Sequence, residues 1–397
     1  MIFNYLQEAK PQKKKFNIKV LLIILCIVLI VGLIASVVYL YFFNAEFQLF
    51  VDKKIFKKEI TEGTLPFVLL NTDNNQVITA YNRYIAIIEK GKIMGYTSSG
   101  RKSFEIETTI NSPLVETGTG FLVIAEKKGQ KLYYISGTNV TWEKEIEGEI
   151  LSIHANKNGY VSIIIQNMNY RSIVITYDNK GNELFRNVQA KTYIVDADVS
   201  NDNKYLAIAE LNTNGSIIQS NIKVISIEKA SKNEQGSFVY INNNKEGDLI
   251  ISLNFQDKNA LTAMYDNKID IISIESNTCE TFTKLEQNDT LFADINLEGT
   301  IVRVRKVSNN IFSATSEVIL TNTNTKKENI YTIEGMPKNV YTQGDLIAID
   351  IGSEIHFINT SGWLIKKYIG SRESKGVVLG GNAGGIIHRN KVELINL

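Results

Sequence analysis

Two hydrophobic regimes divide the chain. Residues 20–43, VLLIILCIVLIVGLIASVVYLYFF, are 24 consecutive positions without a charge, apolar on every side rather than along one stripe. At 1.5 Å rise per residue, a helix of that length exceeds the roughly 30 Å hydrocarbon core of a bilayer. Tyr39, Tyr41, Phe42 and Phe43 gather at one end, where interfacial aromatics are expected. The pattern predicts a transmembrane helix over 20–43. From residue 45 on, apolar runs of four to eight positions are broken by Gly, Asn, Asp and Ser, which is the signature of β-strands. No amphipathic helix is expected in this region.

The strands repeat. One recurring piece is a hairpin with an Asn/Asp/Gly-rich turn followed by a strongly apolar strand. DVSNDNKYLAIAE (198–210) is the clearest copy, aligning with HANKNGYVSIIIQ (154–166), DINLEGTIVRVRK (294–306) and LNFQDKNALTAMY (253–265). ETGTGFLVIAE (116–126) and YTQGDLIAIDI (341–351) are shorter versions. A second piece follows each: strand, Gly-containing turn, then a strand of alternating charge, as in 92–107, 133–147, 173–187 and 355–369. Together they make a four-stranded antiparallel unit, with Gly and Asn serving tight turns that need positive φ.

Units begin near 76, 110, 150, 192, 237, 291, 338 and 374. Four-stranded units recurring every 40–50 residues or so describe an all-β ring, a β-propeller. The count is eight blades, alternatively seven. The expected organisation is a basic tail over 1–19, the helix over 20–43, a juxtamembrane segment over 44–75 and the propeller over 76–397. The last unit supplies only three strands, and KIFKKEI (54–60) is the expected fourth, closing the ring and removing an exposed edge.

The first piece, Ser200-Asn201-Asp202-Asn203-Lys204-Tyr205-Leu206-Ala207, resembles the Ser-Pro-Asp-Gly-Lys hairpin of WD-repeat-like propellers. The second, in YISGTNVTWEKEI with Trp142 and in FINTSGWLIKKY, resembles the hairpin of quinoprotein-like propellers. As a whole the layout is similar to an uncharacterised family of single-pass membrane propellers from low-GC Gram-positive bacteria. These resemblances imply a fold and leave the activity open.

Charge refines the picture. Five lysines against Glu8 give the first 43 residues a net +4, and residues 44–397 carry −3. KPQKKKFNIK (10–19) precedes the helix, so the positive-inside rule places the N-terminus in the cytoplasm and the propeller outside. Lys53, Lys54, Lys57 and Lys58 after the helix weaken that asymmetry. A cleaved signal peptide would have a shorter apolar region, and Cys26 after Ile23-Ile24-Leu25 lacks the small residue of a lipoprotein site. A body without a basic stripe argues against nucleic acid as partner. Cys26 and Cys279 form no disulfide framework or CxxC site.

Candidate chemistry is sparse. His154, His356 and His388 fall in three blades without HxH or HExxH spacing, so they read as isolated polar positions and no metal site is expected. No GxSxG elbow marks a nucleophile. Trp142 and Trp363 are far fewer than the tryptophans of quinone-dependent dehydrogenases, so no quinone cofactor is expected. GGNAGG (380–385) lacks the Lys-Ser/Thr of a phosphate loop and reads as a bulged hairpin. The sequons at Asn139, Asn214, Asn288 and Asn359 carry no weight in an Asn-rich chain. Asp196, Asp198, Ser200 and Asp202 suggest a calcium loop, yet Asn201 and Ala207 stand where an EF-hand needs Gly and Glu. They read instead as a blade hairpin.

No catalytic, cofactor-binding or metal-binding residue is therefore assigned. The expected function is a membrane-anchored, extracytoplasmic, non-catalytic module that binds a protein or an envelope polymer. A small-ligand sensor or enzyme using the central channel is the alternative, and a cytoplasmic propeller a third.

Overall fold

The computed structural model describes residues 18–43, 47, 51 and 59–397, apart from 72–75, 119, 244–246, 287–288, 311–312, 353, 371–373 and 382. The tail over 1–17, most of the 44–58 segment and the Asn288 sequon lie outside the described residues. Two units are present, residues 1–57 and 58–397. The first contains a helix, Ile18–Phe43. Side chains are described from Leu25 to Tyr41, and large apolar ones from Leu25 to Leu40 stand exposed. Among the described residues, no helix is long and apolar enough to cross a membrane.

The second unit is a propeller of eight sheets. Blades one to seven span 77–107, 113–145, 149–189, 193–243, 250–284, 290–334 and 339–369, each an antiparallel meander of four strands. The eighth takes three strands from 376–395 and its fourth from Phe67–Leu69. First strands meet in succession around the centre. Within the first seven blades, the first-to-second and third-to-fourth hairpins lie on one face of the ring, where the first-to-second hairpin of the eighth also lies. The second-to-third hairpins and the crossings between blades lie on the other, hereafter the crossing face.

Blade packing explains why alternation breaks down in the second strands. YIAIIE (84–89), FLVIAE (121–126), VSIIIQ (161–166) and LIAID (346–350) are buried at nearly every position, because each sheet is covered on both sides. Apolar clusters fill the spaces between neighbouring blades, such as Val123, Leu132, Ile163 and Ile175 between the second and third. Trp142 stacks on Tyr134 at 4.9 Å in the same space, tilts against Tyr177, and donates its Nε1–H to the Asn179 carbonyl. The first strands of blades three to six each skip register once, near Leu151, Val195, Ile251 and Leu291, a bulge that adds twist near the crossing face.

Two boundaries differ from the expectation. FVYINN (238–243) is the fourth strand of the fourth blade, not the start of the fifth, which begins at Ile250. A short helix, Ile227–Ser231, capped by Ser226, lengthens the preceding hairpin, so its outer strand stands alone in sequence. The ring-closing strand is Phe67–Leu69 rather than 54–60. Of that earlier segment, residues 54–58 lie outside the described residues. Glu59 and Ile60 belong to a three-residue strand running parallel to the outer strand of the seventh blade. GGNAGG lies at the first hairpin of the eighth blade, where the paired residues 376–379 and 384–387 keep an unbroken register, so no bulge is present among the described residues. Its glycines fit close packing instead: a Cβ on Gly384 would lie 2.8 Å from Ile395, and one on Gly385 2.9 Å from Val392.

Only the middle residue of the closing strand points inward. Val68 is buried, whereas Leu69 is 70% exposed. Val68→Asp is expected to cost about 2–4 kcal/mol by burying a charge, and Leu69→Ser to stay within about 0.5 kcal/mol. Urea denaturation of the two variants checks this, and equal losses would remove Phe67–Leu69 from its closing role.

Candidate functional site

The centre of the ring is built from eight first strands that contain no Lys or Arg. Their carboxyl and imidazole groups are Glu149, exposed at the start of the third blade, and five others nearer the opposite ends: Glu116, His154, Asp196, Asp198 and Asp294. Antiparallel topology puts those five towards the face opposite the crossings. The lumen is thus acidic at one end, with a single histidine among four carboxyls.

Asp196 and Asp198 occupy alternate positions of one first strand, so both side chains point the same way. Asp196 Oδ2 accepts from the Leu253 amide at 2.7 Å, and Asp198 Oδ2 from the Phe255 amide at 2.7 Å. Leu253 and Phe255 lie on the next blade's first strand. The carboxylates therefore replace a missing strand partner. Asp196 Oδ1 also takes the Ala197 amide and lies 2.9 Å from His154 Nε2. Ser200 accepts from the amides of Lys204 and Tyr205 and donates to Asp202. The four oxygens that suggested a calcium loop are spent on backbone and on each other.

Burial pulls the His154 imidazole down, but its bond to Asp196 and the charges of Asp196, Glu116 and Asp198 outweigh that and raise it to about 9. His154 is then an imidazolium paired with Asp196 at neutral pH. Burial pushes Glu116 and Asp198 up to about 7 each, against smaller downward pulls from His154 and, for Asp198, from the Phe255 amide. No described group donates a hydrogen bond to the Glu116 carboxyl. Beside it, Thr117 accepts from Gln343 Nε2 at 2.9 Å, joining the second and seventh blades across the lumen. A cavity of about 290 Å³ lies on the far side, lined by Thr79, Asp294, Asn296, Thr342 and Gln343 among others.

The histidines expected to be isolated each meet a carboxylate. His154 pairs with Asp196 and His356 with Glu354. His388 lies 3.5 Å from Glu393. They do not converge on one another. Glu62, His388 and Glu393 do come together, their ligand atoms within 4.8 Å, as a group able to hold a metal ion. Residues so far apart in the chain leave no spacing motif for sequence reasoning to find.

The crossing face has a different character. Met168, Tyr170, Val188, Tyr193, Ile217, Ile218, Leu249 and Ile251 are exposed there, spread over the third to fifth blades. Arg171 lies over the Tyr193 ring at 5.0 Å and donates to the Lys191 carbonyl, which also accepts from Asn214, so neighbouring crossings form one connected surface. An open cavity of about 320 Å³ follows between the fifth and sixth blades, floored by Ile251, Met264, Leu285, Leu291 and Phe292.

Residues 65–397 match a family of unknown function, DUF5711, over most of the chain. The chain belongs to this family. No curated protein matches the chain by sequence. Among solved structures, Sqt1 from Chaetomium thermophilum is similar at TM-score 0.51 and 13% identity, over 83% of this chain and all of that one. BamB from Moraxella catarrhalis gives TM-score 0.49 and 14% identity, over 84% of this chain and 97% of that one. At such identity the likeness to Sqt1 concerns the fold alone.

The lumen makes a pH-dependent prediction. A carboxyl whose folded pKa is raised disfavours the folded state as pH climbs from its unfolded value, near 4.5, through about 7. Glu116→Gln removes that penalty. The variant is expected to gain about 1–2 kcal/mol over the parent at pH 8, after allowance for water in the lumen, and much less at pH 5. Thermal melts at both pH values check this, and a pH-independent difference would contradict the desolvated carboxyl.

Proposed function

We propose that this DUF5711 protein is a membrane-anchored, extracytoplasmic platform that binds another protein through the crossing face of its propeller. The observation that carries the reading is the sector formed by Met168, Tyr170, Tyr193, Ile217, Ile218, Leu249 and Ile251. Large exposed apolar side chains on neighbouring loops of one face are what protein–protein contacts bury. The adjoining cavity is the size that accepts an anchoring side chain. The anchor reading rests on the uncharged run over 20–43 and its helical backbone, and the outward orientation on the lysines before it.

Site-specific photo-crosslinking in cells tests the platform. A crosslinker at Ile217 or Ile251 is expected to trap a protein, whereas one at Lys157 or Asn201, on the opposite face, is not. Equal yields from both faces, or none from the crossing face, would overturn the reading. Orientation has its own check, in which protease added to intact cells is expected to remove the propeller and spare the first 43 residues. Full protection, with digestion only after lysis, would place the propeller in the cytoplasm.

A second reading draws on the lumen, where the His154–Asp196 pair and the Glu116 carboxyl could receive a small ligand. A melting screen with sugars, divalent ions and amines separates the two. Stabilisation by one compound, abolished by Glu116→Gln while the crosslinks persist, would favour the lumen.

A further inference from the structure

Where the ends of the propeller unit meet, three segments bring polar side chains into the interior. Glu62 follows the short strand that pairs with the seventh blade, and its amide donates to the Ile369 carbonyl. His388 and Glu393, from the eighth blade, are 3% and 0% exposed. Tyr368, from the outer strand of the seventh blade, donates to Glu393 Oε2 at 2.9 Å and contacts His388 Nε2 at 3.4 Å. Lys391 Nζ sits 2.6 Å from Glu393 Oε1 and 3.3 Å from Glu62 Oε1.

We propose that Glu62, His388 and Glu393 bind a divalent transition-metal ion, of the Zn²⁺ or Mn²⁺ class, that staples the ring closed. Three observations converge on this. The three side chains can present ligand atoms within 4.8 Å of one another. His388 Nε2 and Glu393 Oε2 are 3.5 Å apart, close to the spacing of about 3.4 Å that two ligands keep around a tetrahedral ion with bonds near 2.0–2.1 Å. Both side chains are almost wholly buried, so an ion between them would be held out of water. One imidazole with two carboxylates is a donor set suited to zinc, manganese or iron.

The surroundings fit the role. The Tyr368 hydroxyl stands against the same two atoms, Glu393 Oε2 and His388 Nε2, and so adds an oxygen beside the ion's position. Lys391 already holds a positive charge between the same two carboxylates, so it competes with the ion for them and sets how tightly the ion binds. Binding would tie three segments together: the chain entering the ring, the last blade and, through Tyr368, the seventh blade. The inference is independent of the crossing-face reading, because none of these residues lies in that sector.

The test uses the full chain in detergent micelles, stripped with chelator and titrated with Co²⁺ and then Zn²⁺. One Co²⁺ per chain is expected, with the visible absorption of a nitrogen–oxygen site, displaced by Zn²⁺, and with a Zn²⁺-dependent rise in melting temperature. Glu62→Gln, at the less buried edge, and His388→Ala are expected to weaken binding at least about tenfold, while His154→Gln leaves it unchanged. Lys391→Met is expected to tighten Co²⁺ binding by removing the competing ammonium. Absence of binding in the parent and in Lys391→Met, or binding undiminished by Glu62→Gln, would overturn the staple. If His388→Ala does not fold, Glu62→Gln and Lys391→Met decide the matter alone.

Discussion

Every blade of this ring has an inner strand with only one strand neighbour, and its other backbone edge is buried at the centre. An unpaired buried amide or carbonyl costs about 1–3 kcal/mol, so eight such edges would be hard to sustain. Polar side chains from neighbouring blades relieve the cost. Ser162 donates to Ala197, Ser172 accepts from Ile194, and Ser220 accepts from Ile250. Asn254 and Gln256 both donate to Ile295. Asp196 and Asp198 do the same for Leu253 and Phe255 through carboxyl oxygens. Carboxylates suit amides because they accept without donating, and charge-assisted bonds are the stronger kind. Two negative groups in a narrow lumen bring their own difficulty, which His154 offsets for Asp196, while burial keeps Asp198 near half-protonated at neutral pH.

This constraint explains what could and could not be read from the sequence. DVSNDNKYLAIAE announced a blade hairpin because its turn chemistry is local: Ser200 and Asp202 hold the turn, and Asn203 takes φ of 62°. Asn203 also shows what local reading misses. Its side-chain oxygen accepts from Asn156 and Asn158 of the preceding blade, so the residue ties two hairpins together as well as turning one. The lumen cluster was invisible for the same reason. Glu116, His154 and Asp196 belong to three successive blades, and only the packing of blade on blade makes them neighbours. Closure itself was anticipated, but not its strand. Phe67–Leu69 has three residues, one of them buried, too few for a period-two pattern to stand out beside the lysine-flanked apolar run of 54–60.

The two faces of the propeller divide the work of the loops. On the opposite face, short hairpins interlock: Asn158 donates to Asn201, Asn179 donates to Asn158, and Lys157 pairs with Glu298 across the ring. Such turns have little freedom to vary. On the crossing face, the second-to-third hairpins of the third and fourth blades expose Met168, Ile217 and Ile218. Surface loops on a rigid scaffold are where binding residues concentrate, and here they are also where the apolar surface collects.

The same reasoning separates the lumen's structural polarity from any polarity kept for another purpose. Asp196 and Asp198 are accounted for by the amides they hold, and His154 by the charge of Asp196. Asp294 accepts from Asn296 of its own loop. Glu116 differs from all four. It holds no described amide, it lies beside an imidazolium already paired with another acid, and burial makes its ionisation costly. A glutamine or leucine at the same position would serve the edge equally well and avoid the desolvation. The fold therefore supplies a reason for every described charge in the lumen except this one, which makes Glu116 the residue where a ligand-binding role of the channel would first show itself.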